Sequence, residues 1–148
     1  MKRAGFTMIE LIFVIVILGI LAAVAIPKLA ATRTDAEVSK GASDVATLVS
    51  DLGAYYTSQG KFDFTAGGVA NMTNVPLDAT QATDGTAFHY EVPTGTDCID
   101  ITISDTNGSV AVAANSGTLS TACTSIVTVI TKNGLVKTQN FGGTGVQY

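Results

Sequence analysis

Glu10 is the only ionisable side chain between Gly5 and Pro27, in the run "GFTMIELIFVIVILGILAAVAIP". A carboxylate at the centre of a bilayer costs roughly 2.5–3.5 kcal/mol on insertion scales, so an acid in such a run needs a partner. Few other groups could do chemistry. Cys98 and Cys123 lie 25 positions apart. In an exported chain the default for such a pair is a disulfide rather than two free thiols. Closing that loop stabilises by about 3–4 kcal/mol in the chain-entropy model. No CxxC and no His/Cys cluster occurs, so thiolate metal ligation has no support. His89, in "FHYEV", is the single histidine and reads as a strand surface residue rather than a catalytic one. GxSxG, P-loop, GxGxxG and HExxH motifs are absent. No residue is assigned to catalysis or to a cofactor.

Asp97, Asp100 and Asp105 are the carboxylates that could offer oxygens to calcium. "DTNGS", Asp105–Ser109, looks like the start of a calcium loop, but Ser116 stands where a bidentate Glu should be. That argues against an EF-hand, and no other ligand pattern is visible. Acids on a strand face are usually just solvated.

A chain of 148 residues suffices for one domain with a core once the apolar N-terminus is set aside. Charged residues make up 14%, below the roughly 25% of a typical soluble domain. Thr occurs 21 times, so the surface is solvated by hydroxyls and amides more than by ions. The net charge of −4 conceals an asymmetry: between Gly41 and Thr131 nine acids face one base, Lys61. Such a region repels a phosphate backbone, and direct nucleic-acid binding is not expected.

Leu11–Ile26 is sixteen residues without a polar side chain, and the run from Phe6, which includes Thr7 and Glu10, is twenty-one residues long. As a helix the longer run spans about 31 Å, close to the hydrocarbon thickness of a bilayer. Lys2 and Arg3 precede it; Lys28 and Arg33 follow it. Three readings compete. A cleavable secretory signal fits the basic start and Ala23-Val24-Ala25, but not Glu10 or the adjacent Pro27. A plain membrane anchor fits but leaves Glu10 unexplained. The third takes Gly5–Phe6 as a processing boundary and Glu10 as a functional group.

On the third reading the segment resembles the N-terminus of type IV pilins and of the pseudopilins of type II secretion. The resemblance rests on the leader Met1–Gly5, Phe6, Thr7, Glu10, the apolar run and Pro27, and covers about the first 30 residues. It implies cleavage by prepilin peptidase between Gly5 and Phe6, and N-methylation of Phe6. It also implies assembly through Glu10, which would take the new Phe6 ammonium of a neighbouring copy as counter-ion in an apolar core. Gly19 and Pro27 are the helix-weakening positions; in the family the matching segment unwinds in assembled filaments. Further implied are a helical homopolymer and an inner-membrane assembly platform. Minor pilins or pseudopilins would be partners, and the localisation would run from single-pass inner-membrane precursor to cell-surface or periplasmic filament. Major pseudopilins bind calcium in their C-terminal region. In many type IV pilins a disulfide staples a C-terminal loop, but 25 residues follow Cys123 here.

Downstream, Val38, Ala42, Val45, Leu48/Val49, Leu52 and Tyr55/Tyr56 recur at helical steps, predicting an amphipathic helix to about Ser58 with one face on a sheet. Lys61–Gly85 lacks a clean period and reads as a connector; in the family it is a variable surface stretch, hence a candidate contact loop. "CIDITISD" alternates as a half-buried strand. Asn107-Gly108 and Asn133-Gly134 predict two hairpins, the second joining "SIVTVITK" to "LVKTQNF", with "FHYEV" as a further strand. Cys98 has the opposite parity to Ile99, Ile101 and Ile103, placing its bond on the outer face or at a strand end. The expected fold is α+β: a long N-terminal helix, membrane-spanning then amphipathic, on an antiparallel sheet of 4–5 strands. Its parts are a leader (1–5), a transmembrane assembly helix (6–27), an amphipathic helix (28–60), a connecting loop (61–86) and a sheet domain (87–148).

Overall fold

The computed structural model describes residues 5–77, 82–92 and 96–142, the side chain of Thr96 excepted. Met1–Ala4 of the expected leader and residues 143–148 of the expected sheet domain lie outside these. The chain divides into two compact units, Met1–Ala36 and Glu37–Tyr148. Helix α1, Met8–Gln59, contributes to both.

In the first unit α1 is apolar on every side from Leu11 to Ile26, and its large hydrophobic side chains are exposed, from 43% at Ile17 to 79% at Met8. A helix apolar all round is stable only against lipid or other apolar helices. Its length and composition suffice to cross a membrane. The helix is continuous through Gly19 and Pro27; the expected local unwinding concerns an assembled filament.

In the second unit the sequence period becomes a buried stripe. Gly41, Val45, Leu48, Val49, Leu52, Gly53 and Tyr56 face inward at three- and four-residue steps, with Val38, Ala42 and Tyr55 at the margins. The short α2, Gly68–Met72, interrupts the expected connector, and Phe62, Val69, Met72 and Ala82 from that stretch enter the core. Then follow β1 (Ala87–Val92), β2 (Thr96–Ser104), β3 (Ser109–Ala114), α3 (Thr121–Lys132) and β4 (Thr138–Asn140). The four strands form one antiparallel sheet in the order β1-β2-β3-β4. The fold is α+β, and the "FHYEV" stretch is β1 itself. Ile99, Ile101 and Ile103 are fully buried, as their alternation requires. The first Asn-Gly pair turns β2 into β3, with Gly108 at φ 55 and Ser104 opposite Ser109.

Two expectations are corrected. "SIVTVITK" is not a strand: it belongs to α3, so Asn133-Gly134 does not join two strands. Asn133 caps α3, and β4 is a short edge strand paired with β3. Ile126, Val127, Val129 and Ile130 are spaced one, three and four apart, which is a helical face and not an alternation. Ser120 caps the helix start, its Oγ accepting from the Cys123 amide at 3.2 Å. Burial of Ile126 and Ile130 then outweighs the strand preference of β-branched residues.

The second correction concerns Cys98. It does not lie on the outer face; Cys98 and Cys123 are both fully buried and disulfide-bonded, with Cα atoms 5.1 Å apart. The register explains why. Tyr90 faces Ile99 while Glu91 faces Asp97, so Cys98 is the extra residue of a bulge. A bulge breaks the two-residue alternation and lets Cys98 and Ile99 both turn inward. Nor is it at a strand end: Cys98 is the third residue of β2, and Thr96 and Asp97 before it are still paired with β1.

Candidate functional site

The groups assigned to processing and assembly lie at the head of α1. Gly5, Phe6 and Thr7 are non-helical, and the helix begins at Met8. Thr7 fixes that start. The Glu10 amide donates to Thr7 Oγ1 at 3.3 Å, while Glu10 Oε2 accepts from the Thr7 amide at 2.8 Å and the Thr7 hydroxyl at 2.6 Å. This is a capping box: cap and third helical residue each satisfy a donor that the helix start leaves orphaned. It also places a negative charge in the first turn, where the helix dipole favours one. The signal lies in the sequence as Thr-Met-Ile-Glu before an apolar run, a partner for Glu10 within its own chain besides the expected counter-ion. Glu10 thus has a hydrogen-bonded position within its own chain before any neighbour is considered.

Around the carboxylate, Phe6, Ile9, Phe13 and Val14 line an open apolar groove of about 360 Å³ with Glu10 on its wall. An oriented anion on an apolar surface can bind a cation delivered by another apolar segment, and water would screen such a pair little. Gly19 and Pro27 lie farther along the same helix and do not meet this group.

The other candidates fall elsewhere. His89 Nδ1 lies 2.9 Å from Asp100 Oδ1, its opposite residue in the β1–β2 register. Asn115 Nδ2 donates to the same oxygen at 2.7 Å. These half-buried groups form a cross-strand polar ladder. Asp105 Oδ1 accepts the Phe62 amide at 2.7 Å, tying the β2–β3 turn to the residues after α1. Asp97 is exposed at the start of β2. The three carboxylates considered for calcium are therefore strung along one strand and its turn. Among the described residues no three His, Cys, Asp or Glu side chains converge to hold a metal.

Comparisons with known proteins bear on the same segment. Residues 1–26 match the family described as the prokaryotic N-terminal methylation motif. The chain is similar to type II secretion system core protein G of Aeromonas hydrophila, 34% identical over 80 residues, covering 54% of this chain and 56% of that protein. The same protein of Dickeya chrysanthemi is 33% identical over 75 residues, 51% of this chain and 49% of its own length. That of Escherichia coli (strain K12) is 32% identical over 75 residues, 51% and 52% respectively. The chain spans about half the length of the curated relatives it matches. No solved structure matches it. The matched methylation motif thus coincides with the capped start of the apolar α1, and the similarity to core protein G extends over about half of the chain.

Proposed function

We propose that the chain is a structural subunit of a type IV pilus-like filament and not an enzyme. Prepilin peptidase cuts between Gly5 and Phe6 and methylates the new Phe6 amine, and the subunit then polymerises through α1. One observation carries this reading: a helix whose large apolar side chains from Met8 to Leu29 are all exposed, headed by a carboxylate held in its first turn. Hydrolysis before Phe6 creates an ammonium four residues from Glu10. In a bundle of such helices the ammonium of one copy neutralises Glu10 of the next and fixes their axial register. Residues 6–27 anchor the precursor in the inner membrane, with the sheet domain in the periplasm. Bundling exchanges lipid contact for protein contact, so extraction draws on a motor ATPase and assembly platform elsewhere, with minor pilins as further partners.

A second reading is favoured by the relatives, which are type II secretion core proteins: the filament is a periplasmic pseudopilus. Deleting the chain separates the two, since a pilus subunit loses surface fibres and a pseudopilin loses exported enzymes. For the shared mechanism, Glu10→Leu should insert in the membrane normally and fail to assemble. Normal fibres from that variant would rule the pairing out.

A further inference from the structure

Residues 121–132 are helical against the preference of their own side chains. Eight of the twelve in "TACTSIVTVITK" are Thr, Val or Ile, types that lose χ1 freedom against the preceding helical turn. Isolated helices shorter than about 12–15 residues are marginal even when rich in alanine. The hydroxyls of Thr124, Thr128 and Thr131 donate back to the carbonyls of Ser120, Thr124 and Val127, bonds that slightly weaken a helix. Contacts outside the segment must therefore hold it.

Those contacts are of two kinds. Ile126 and Ile130 are fully buried, and Ile126 lies so close to α1 that a Cβ on Gly41 would stand 2.7 Å from its Cδ1. The other is covalent. Cys123, whose amide the Ser120 cap accepts, is bonded to Cys98, the bulged residue of β2. The bond thus fixes the first turn, where helix nucleation is unfavourable.

We propose that α3 is a redox-conditional helix, formed in the disulfide-bonded chain and lost in the dithiol chain. In the oxidising step the two thiols give up two protons and two electrons and the Cys98–Cys123 bond forms. A disulfide-bearing oxidant takes the electrons and becomes a dithiol. Before that step residues 121–132 do not cover Gly41 and β2, so the domain closes only in an oxidising compartment.

The test uses the full-length chain in detergent micelles, followed by backbone NMR shifts and amide exchange. On reduction, residues 121–132 should lose helical shifts and their exchange protection should fall on the order of a few hundredfold, the loop-closure effect of one disulfide. The pairing of β2 with β3 should persist. The Cys98→Ala, Cys123→Ala chain should behave as the reduced one. Adding Thr124→Ala, Thr128→Ala and Thr131→Ala, all at exposed positions, should restore the helix without the bond. Helical shifts that survive reduction, loss of the whole domain on reduction, or failure of the alanine changes to restore α3 would each overturn the proposal.

Discussion

Thr7 and Glu10 satisfy each other at the start of α1, the threonine hydroxyl accepting the Glu10 amide while Glu10 Oε2 takes both donors of Thr7. The acid that looks orphaned in the sequence is thus held at a fixed place on the helix, and a filament neighbour would meet an oriented carboxylate. Thr7→Ala should weaken the first turn by about 0.5–2 kcal/mol, the range for loss of an N-cap. The check is faster amide exchange at Ile9–Leu11 in micelles, with Thr7→Ser close to the parent.

The Tyr90 hydroxyl, on β1, donates to Asp44 Oδ2 on α1 at 2.8 Å, and Lys40 pairs with the same oxygen. Burial and then the bond to Asp44 push the Tyr90 pKa upward. Tyr90→Phe should destabilise by about 1–2 kcal/mol, near the low end for bonds to charged groups because Asp44 is partly exposed. The sign with pH follows from the raised value: this stability is complete below pH 10, the ordinary tyrosine value, and is lost as pH rises beyond it. Urea unfolding at pH 7 and pH 11 should show a smaller alkaline loss in Tyr90→Phe than in the parent.

Asp63 organises the turn after α1. Its Oδ1 accepts from the Thr65 amide and hydroxyl, and its Oδ2 from Asn71 Nδ2. The Thr65 hydroxyl, Asn71 and the Thr65 amide together lower its carboxyl to about 2. The contribution of these bonds is present above the ordinary aspartate value and is lost as pH falls through about 2. The Thr65 amide resonance should titrate with that low midpoint, and a midpoint near 3.8 would show the bonds absent.

Gly53 lets the chain beyond β4 lie on α1. A Cβ there would stand 2.3 Å from the Phe141 ring. Gly53→Ala gains helix propensity of about 1 kcal/mol but overpacks by about 1–3 kcal/mol. The expected net is a loss of about 1 kcal/mol by chemical denaturation. In a Phe141→Ala background the same change should turn neutral or stabilising.

Much of this fold is legible in the residues, and the failures share a cause. The α1 stripe from Val45 to Tyr56 is local, a 3.6-residue period that no neighbour needs to confirm. The Asn107-Gly108 turn is local too. α3 misleads because its β-branched composition points to a strand while its spacing points to a helix, and burial under Ile126 and Ile130 decides. The position of Cys98 is hidden because a bulge depends on how β1 pairs with β2, which no single strand encodes. At the candidate site Glu10 stands out by charge, while its partner Thr7, three residues away, carries no charge to mark it.

The central claim is that cleavage before Phe6 creates the cation that Glu10 receives from a neighbouring copy. Mass spectrometry of the N-terminal peptide from isolated native filaments tests it most directly. The account predicts a chain that lacks residues 1–5, begins at Phe6 and carries one added methyl group. Filaments built from chains that still begin at Met1 would contradict it.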